Sequence, residues 1–270
     1  MSEADVIQAS KRPYTRTSLT QDLRNLGVMP GMVLLVHTSL SRIGFVSGGP
    51  VAVIQALLDV LTPDGTLVMP THTSGYSDPA GWENPPIPPE WVETVREEMP
   101  AYDPALTPTR NMGRIPELFR TWPDVWRSPH PQVSFAAWGK MAVQVTAVHP
   151  LPYSLGDTSP LAQIYDLDGY VLLLGVGHEN NTSFHLAEYR ANCRPKTQSG
   201  APILEYGRRV WKWYEDIEYN SGPFRHIGTD MEKAGLARVG QVGQAKARLF
   251  SQRTAVDFAQ EWLKNRTTDE

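Results

Sequence analysis

Three short, almost wholly apolar segments constrain the fold of this chain more than any other feature. They are Met32–Val36, Thr66–Met69 and Val171–Leu174, and polar residues follow each of them within four positions. Strands buried on both faces of a parallel sheet have this continuous apolar character, whereas strands with one solvated face alternate. The pattern therefore predicts an α/β protein with a central, largely parallel sheet.

Helix signals separate these predicted strands. Ser47-Gly48-Gly49-Pro50 opens a helix that runs to Leu61, because glycine is tolerated at a helix cap and proline suits the first turn. Together with the flanking strands, this helix makes a right-handed βαβ unit. A second helix begins at Asn181 or Thr182 and ends at Ala191, so a second crossover follows the third strand.

Two other regions have patterns of their own. Gly200–Tyr219 alternates in polarity, which predicts antiparallel strands, and the tail Gly240–Lys264 is predicted to be helical. Gly75–Pro108 is rich in proline and aromatic residues, which indicates an ordered insertion that acts as a lid or substrate wall. We expect one domain over residues 1–270, with the lid around 75–108.

Composition excludes several classes of function. The 270 residues include 25 basic and 29 acidic side chains, a net charge of −4, so a nucleic-acid partner is not expected. Cys193 is the only cysteine, which excludes a disulfide or a cysteine zinc cluster. No apolar run is long enough for a membrane span, and Met1–Arg16 lacks the pattern of a signal peptide. We expect a cytoplasmic protein; a homodimer is left open.

Titratable residues gather after each of the three predicted strands. His37-Thr38-Ser39 follows the first, Thr71-His72-Thr73 the second, and His178 to Glu188 the third. Ligands of open α/β sheets bind beyond the carboxyl ends of the strands, so these segments are predicted to meet in one cleft. No Walker, dinucleotide-binding, His-Glu-x-x-His or Gly-x-Ser-x-Gly motif accompanies them.

His185 and Glu188 are the strongest candidates for catalysis. They lie three residues apart at the start of a predicted helix and therefore share a face. A carboxylate can hold one tautomer of a histidine, which then accepts a proton near neutral pH. The spacing alone also fits an ordinary pair, in which His185 caps a turn and Glu188 is solvated.

Four blocks resemble the aminoglycoside 3-N-acetyltransferase family in sequence and order. They are Leu35–Leu40, Asp64–Thr71, Arg127–Pro131 and Leu173–Glu188, and the resemblance covers Leu19–Leu249. It implies a three-layer α/β/α sandwich with a mixed, largely parallel sheet, distinct from the GNAT acetyltransferases. It also implies direct acetyl transfer from acetyl-CoA, as cosubstrate, to the 3-amino group of an aminoglycoside, with His185 and Glu188 as the catalytic pair. No metal is expected.

The resemblance also implies binding residues. Those expected to contact acetyl-CoA are His37, Thr38, Ser39, Ser41, Gly44, Thr71 and Arg110. For Arg127 and His130, a rigid turn and a CoA contact remain equal alternatives. Because aminoglycosides are cationic, the acceptor site should contain carboxylates and an aromatic face. The candidates are Tyr76, Asp78, Glu179, Asp216 and Glu218, and at least two of the four carboxylates are expected to line one cleft beside His185. Two alternatives stay open: acetylation of another amine, and a non-catalytic CoA- or sugar-binding relative.

Overall fold

The structure is a computed structural model, and it describes residues 2–267. The strands are β1 Val33–Thr38, β2 Thr66–Pro70, β3 Trp126–Arg127, β4 Phe135–Gly139, β5 Tyr170–Leu174, β6 Lys196–Glu205, β7 Arg208–Ile217, β8 Arg238–Val242 and β9 Ala245–Ser251. The α-helices are α1 Glu3–Ala9, α2 Arg16–Leu26, α3 Leu40–Ile43, α4 Gly49–Leu61, α5 Val92–Glu98, α6 Arg114–Phe119, α7 Ala142–Thr146, α8 Pro160–Asp166, α9 Ser183–Ala191, α10 Phe224–Lys233 and α11 Gln252–Thr267.

The main sheet has seven strands in the order β3-β4-β2-β1-β5-β9-β8. Its centre is parallel: β1 pairs with β2 and with β5, in a register that sets Leu35 opposite both Val68 and Val171. The outer pairs are antiparallel, so β4 and β9 run against the other five strands. The sheet is thus mixed with most strands in one direction, as predicted. β6 and β7 form a separate hairpin.

Two apolar layers cover the two faces of the sheet. Leu34 and Val36 of β1 pack with helices α2, α4 and α6, while Val33 and Leu35 pack with helices α7 to α11. Successive side chains of a strand point to opposite faces, so one apolar strand can supply both layers. The predicted three-layer α/β/α architecture is confirmed.

Local signals explain where the helices before and after β1 begin and end. Thr15 and Ser18 form a capping box at the start of α2, and Gly27 ends that helix at a φ of +107°. A side chain is strained at this φ, so glycine is favoured there. Helix α4 begins after Gly48 with Pro50 in its first turn, as its sequence predicts.

The prediction of one helix over Gly240–Lys264 is wrong in its first half. This part contains β8 and β9, and helix α11 begins only at Gln252. In β9, buried Ala245, Ala247 and Leu249 alternate with the more exposed Lys246 and Arg248, which is the period of a strand. The hairpin predicted within Gly200–Tyr219 is confirmed, although its first strand begins earlier, at Lys196.

The insertion Gly75–Pro108 packs across the hairpin and one end of the sheet. The backbone N–H of Tyr102 donates to the carbonyl of Pro202 in β6 at 3.0 Å, and the Tyr102 hydroxyl donates to the carbonyl of Ser128 at 3.1 Å. Within the insertion, Arg96 forms a bidentate ion pair with Asp78. Its action as a lid stays a prediction. No helix in residues 2–267 has the length and apolarity that a membrane crossing requires.

Candidate active site

A cavity of about 310 Å³ opens where the three central parallel strands end. His37 and Thr38 reach it from the end of β1, Pro70 and His72 from the end of β2, and the segment after β5 supplies the opposite wall. The structure thus brings the three polar segments together at the carboxyl ends of the strands, as predicted. The lining residues from the segment after β5 are Val176, Glu179, Asn180, Asn181, Thr182 and His185.

His185 and Glu188 form a close pair in the first two turns of α9. Nδ1 of His185 lies 2.7 Å from Oε2 of Glu188. A carboxylate can only accept, so in neutral His185 the hydrogen is on Nδ1 and the lone pair is on Nε2. His185 lines the cavity, and its Nε2 forms no hydrogen bond with any residue that the structure describes. The arrangement provides an oriented base with a free nitrogen.

Glu188 is not a solvated helix residue. Its side chain is 0% exposed, and its second oxygen, Oε1, accepts from Nε of Arg194 at 2.6 Å. The backbone N–H of Asn220 also donates to Oε1, at 3.3 Å. A buried carboxylate is retained only when it is paired and hydrogen-bonded, and Glu188 meets both conditions. The alternative in which this pair is an ordinary surface contact is therefore excluded.

The His185 ring packs against two aromatic rings. The Tyr219 ring centroid is 4.9 Å away and the Phe224 centroid 4.8 Å away, and both residues also line the cavity. Sequence reasoning missed these two residues and Arg194. Tyr219 and Phe224 lie more than thirty positions beyond His185, so only the tertiary fold brings them to it.

Two further histidines at the cavity are neutral. Burial lowers the pKa of His37 to about 3 and that of His72 to about 3, because desolvation disfavours the charged ring. Nε2 of each ring and Oγ1 of Thr38 are buried without a protein hydrogen-bond partner. Buried polar atoms are normally paired, so unpaired ones in a cavity indicate where a ligand can complete the hydrogen bonding.

One other expected CoA contact, Ser41, borders a second cavity of about 670 Å³. Ser41 lines it with four basic residues, Lys11, Arg42, Lys246 and Arg248. Val176 lines both cavities, so they adjoin. Ser39 is not among the residues that line either cavity, but its Oγ lies 3.5 Å from Oγ of Ser41.

Ser39 and three more of the expected CoA-binding residues lie outside the residues that line the two cavities. Gly44 has a φ of +97°, and a Cβ there would lie 2.8 Å from the ring of Tyr14, so the chain packing accounts for this glycine. Thr71 is fully buried, with Oγ1 3.1 Å from Oγ of Ser134. Arg110 lies over the ring of Trp82 in the insertion.

Arg127 and His130 have their hydrogen bonds within the protein. Arg127 donates to the carbonyls of Thr71, Pro104 and Thr107, and burial lowers its pKa. Nε2 of His130 donates to the carbonyl of Leu151 at 3.3 Å, and Nδ1 accepts from two backbone N–H groups. This geometry favours the rigid-turn alternative for both residues.

Only one of the four acceptor-site carboxylates, Glu179, is among the residues that line the His185 cavity. Asp78 is paired with Arg96, and Asp216 is 2% exposed and hydrogen-bonded within the protein. Glu218 is exposed beyond the end of β7. The expectation that at least two of these carboxylates share this cavity is therefore corrected. Tyr76 is partly buried, with its ring 6.2 Å from that of Tyr102.

The fold and the cavity define a class of protein: an α/β protein with a carboxylate-oriented histidine at the ends of its parallel strands. Three or more metal-ligating side chains do not cluster anywhere in residues 2–267. The site places a carboxylate-oriented histidine beside residues with buried polar atoms that have no protein hydrogen-bond partner. Such a site suits a reaction in which a proton leaves a nucleophile.

Comparison with known proteins assigns the chain to a family. The family model described as aminoglycoside 3-N-acetyltransferase matches residues 35–264. Over 96% of each chain, the protein is 49% identical to the SPbeta prophage-derived aminoglycoside N(3')-acetyltransferase-like protein YokD of Bacillus subtilis (strain 168). It is 39% identical to aminoglycoside N(3)-acetyltransferase VII of Streptomyces paromomycinus, over 98% of this chain and 97% of the relative. The chain belongs to the aminoglycoside 3-N-acetyltransferase family.

Solved structures agree with this assignment. The crystal structure of YokD from Bacillus subtilis superposes with a TM-score of 0.97 at 47% identity, over 99% of both chains. AAC-IIIb, solved as a binary complex with CoASH, superposes with a TM-score of 0.85 at 32% identity, over 94% of this chain and 98% of that one. The expected enzyme class, an acyltransferase, and the expected fold are both confirmed at the level of the family.

Proposed function

We propose that this protein transfers the acetyl group of acetyl-CoA directly to the 3-amino group of an aminoglycoside, with His185 as the general base. The observation that carries the proposal is that His185 lines a cavity while its Nδ1 is held by Glu188, which leaves Nε2 without a protein hydrogen-bond partner among the described residues. The names of the relatives support the substrate class, and the AAC-IIIb complex with CoASH supports the cosubstrate.

The reaction requires His185 to accept a proton from the amine and then to donate a proton to the departing sulfur. An amine attacks a thioester carbonyl only when its nitrogen has a lone pair, and the new C–N bond leaves a proton to be removed. His185 Nε2 takes this proton, and Glu188 stabilises the resulting imidazolium through Nδ1. The C–S bond then breaks, and the imidazolium returns the proton to the departing sulfur. The products are the amide and free CoA.

The negative charge that develops on the thioester oxygen needs hydrogen-bond donors. His37, His72 and Thr38 have buried polar atoms without protein partners at this cavity. A neutral ring can donate from one nitrogen, and the lowered pKa of both histidines keeps them neutral through the working pH range. We assign the acetyl end of acetyl-CoA to this group of residues.

The phosphate end of acetyl-CoA requires positive charge. Arg42, which is exposed, lines the second cavity together with Lys246 and Arg248. The two cavities adjoin at Val176, so an extended cosubstrate can run from the basic cavity to His185. We keep the prediction that the enzyme works in the cytoplasm.

Release of the CoA thiol tests the proposal. Purified protein is incubated with acetyl-CoA and a panel of aminoglycosides, and the thiol is followed with a chromogenic disulfide. Wild-type protein should turn over at least one aminoglycoside, and His185→Ala should lower kcat by ~10²–10⁴, the usual value of a general base. His226→Ala is the matched control, since His226 is exposed on α10. A normal rate in His185→Ala would place the base elsewhere.

Turnover with other amines, such as polyamines or amino sugars, distinguishes the remaining alternatives. Acetylation of such an amine without any aminoglycoside would keep the chemistry and replace the acceptor. Binding of CoA without turnover of any amine would make the chain a non-catalytic relative and overturn the proposal.

A further inference from the structure

Asp216 is a buried carboxylate surrounded by uncharged donors. It is 2% exposed although it lies next to the end of β7. Its Oδ2 accepts from Oγ of Ser154 at 2.7 Å and from the hydroxyl of Tyr219 at 3.0 Å. Its Oδ1 accepts from the hydroxyl of Tyr189 and from the backbone N–H of Ile217. Three hydroxyl groups therefore converge on one buried anion.

Such an arrangement is costly to maintain. A buried charge loses its hydration, and uncharged donors recover only part of that free energy. In this cluster, the donor that reaches the active site is Tyr219. Its ring lies 4.9 Å from the ring of His185 and lines the cavity. Asp216 is thus linked to the base through one side chain.

The connection from β7 to α10 is anchored by two carboxylates. Asp216 holds Tyr219 through its hydroxyl, and Glu188 accepts the backbone N–H of the next residue, Asn220, at 3.3 Å. Ser221 follows and lines the cavity. The same Glu188 orients the His185 ring, so the wall of the cavity and the base share one support.

We propose that Asp216 is a positioning residue for acetyl transfer: by accepting the Tyr219 hydroxyl, it holds the Tyr219 ring against His185. The imidazole is then fixed against Tyr219 and Phe224. This role replaces the expectation that Asp216 binds a cationic acceptor. The expected effect of Asp216 on the rate rests on the proposed function, whereas its expected effect on the position of the His185 ring does not.

The variants Tyr219→Phe and Asp216→Asn test this role. Tyr219→Phe keeps the ring and removes only the hydroxyl that Asp216 accepts. Small displacements of a catalytic group can lower rates by up to ~10²-fold, so we expect kcat to fall ~10-fold in either variant. The KM for acetyl-CoA should change by less than about 2-fold, because binding energy common to ground and transition states is retained. The double variant should be no slower than Asp216→Asn, since Asp216→Asn already disrupts the Tyr219–Asp216 hydrogen bond that Tyr219→Phe removes.

A second measurement needs no substrate. The two adjacent aromatic rings impose a ring-current shift on the His185 ring protons, which NMR detects in the ligand-free protein. Tyr219→Phe should change this shift. The matched control is Tyr165→Phe, which removes a similar tyrosine–carboxylate bond, to Asp257 at 2.8 Å, outside the residues that line the cavity. This control should leave both the His185 signals and kcat unchanged.

Three results would overturn the positioning role: unchanged His185 signals in Tyr219→Phe, an unchanged kcat in that variant, or losses that add in the double variant. If Asp216→Asn does not fold, the kcat and NMR measurements on Tyr219→Phe still test the positioning role. If wild-type protein acetylates no amine, the proposed function fails, while the NMR comparison continues to test whether Asp216 and Tyr219 hold the ring.

Discussion

The guanidinium of Arg194 donates from Nε to Oε1 of Glu188 at 2.6 Å, the carboxylate oxygen that His185 does not contact. Glu188 therefore lies between a permanent cation and a ring that becomes cationic during the proposed reaction. Its side chain is completely buried, so solvent screens neither contact effectively. This one carboxylate orients the His185 ring. It also interacts favourably with the charge of Arg194 and, during the proposed reaction, with the charge of the His185 imidazolium.

Glu188→Gln should lower kcat, although less than His185→Ala, because the amide keeps a similar shape and loses the charge. The loss should persist across the pH range, because the amide supplies no charge to stabilise the imidazolium that forms during transfer. Steady-state kinetics between pH 5 and 9 measure both effects. Glu117→Gln is the control, since Glu117, on α6, is also paired with an arginine, Arg120. An unchanged rate across this pH range would refute the orienting role.

Arg127→Lys should destabilise the protein by about 2–3 kcal/mol, the range for buried carbonyls that lose their donors. The Arg127 guanidinium reaches three carbonyls and the hydroxyls of Thr71 and Ser134, and a lysine ammonium cannot span this set. Urea unfolding measures the change. Arg16→Lys, at a solvent-exposed pair with Asp59, should change the stability much less. Equal losses in both variants would contradict the argument.

The sequence predicted those parts of the fold in which burial leaves a local pattern. β1, β2 and β5 are buried on both faces, so their apolar runs are visible without an alignment. β9 was missed because its buried face includes small alanines, Ala245 and Ala247, and because its outward residues suit a helix equally well. β3 has only two residues and leaves no period to detect.

The candidate site likewise contains residues that the sequence predicts and residues that only the folded structure identifies. His185 and Glu188 were predictable, since residues three apart share a helix face. Arg194 and Tyr219 reach the pair only through tertiary packing. Asp216 shows the limit most clearly: a carboxylate in an alternating strand is normally solvated, and its burial depends on hydroxyl groups from three other segments.

Acidification should destabilise the protein well before its carboxylates titrate. Burial lowers the pKa of His37 and His72 to about 3 and of His130 to about 4, and it lowers the pKa of His149 as well. As the pH falls from ~6.5 toward 4, the unfolded chain binds protons at these rings and the folded chain does not. The free energy of unfolding should therefore fall in this window, by up to ~1.4 kcal/mol per pH unit for each histidine.

A variant of His72 measures how much this one histidine contributes to the pH dependence of stability. Nε2 of His72 has no protein partner, and its ring packs against Phe135, so His72→Phe removes a titrating group without removing a known hydrogen bond. Urea unfolding at pH 7, 6 and 5 should show a shallower pH dependence in His72→Phe than in wild-type protein. Equal slopes would mean that His72 is protonated in the folded state as readily as in the unfolded chain.

The last prediction concerns the charge of the acceptor site. Glu179 lines the His185 cavity, is partly exposed, and has only a long contact with Arg225, at 3.8 Å. It is thus the carboxylate best placed to meet a cationic acceptor. An exposed pair of this kind contributes roughly 0.2–1 kcal/mol and weakens as salt screens it. Glu179→Gln should therefore raise the aminoglycoside KM by about 1.5- to 5-fold at low salt and leave the acetyl-CoA KM unchanged.

Glu218→Gln serves as the comparison, because Glu218 is exposed outside the residues that line this cavity and the same charge is removed. It should leave the aminoglycoside KM close to the wild-type value. The difference between the two variants should also shrink as the salt concentration rises from 20 to 500 mM, since Debye screening shortens from roughly 20 Å to about 4 Å over that range. Steady-state kinetics at both salt concentrations decide the matter. If Glu179→Gln and Glu218→Gln raise the aminoglycoside KM equally, the acceptor responds to the net charge of the protein, and Glu179 makes no specific contact with it.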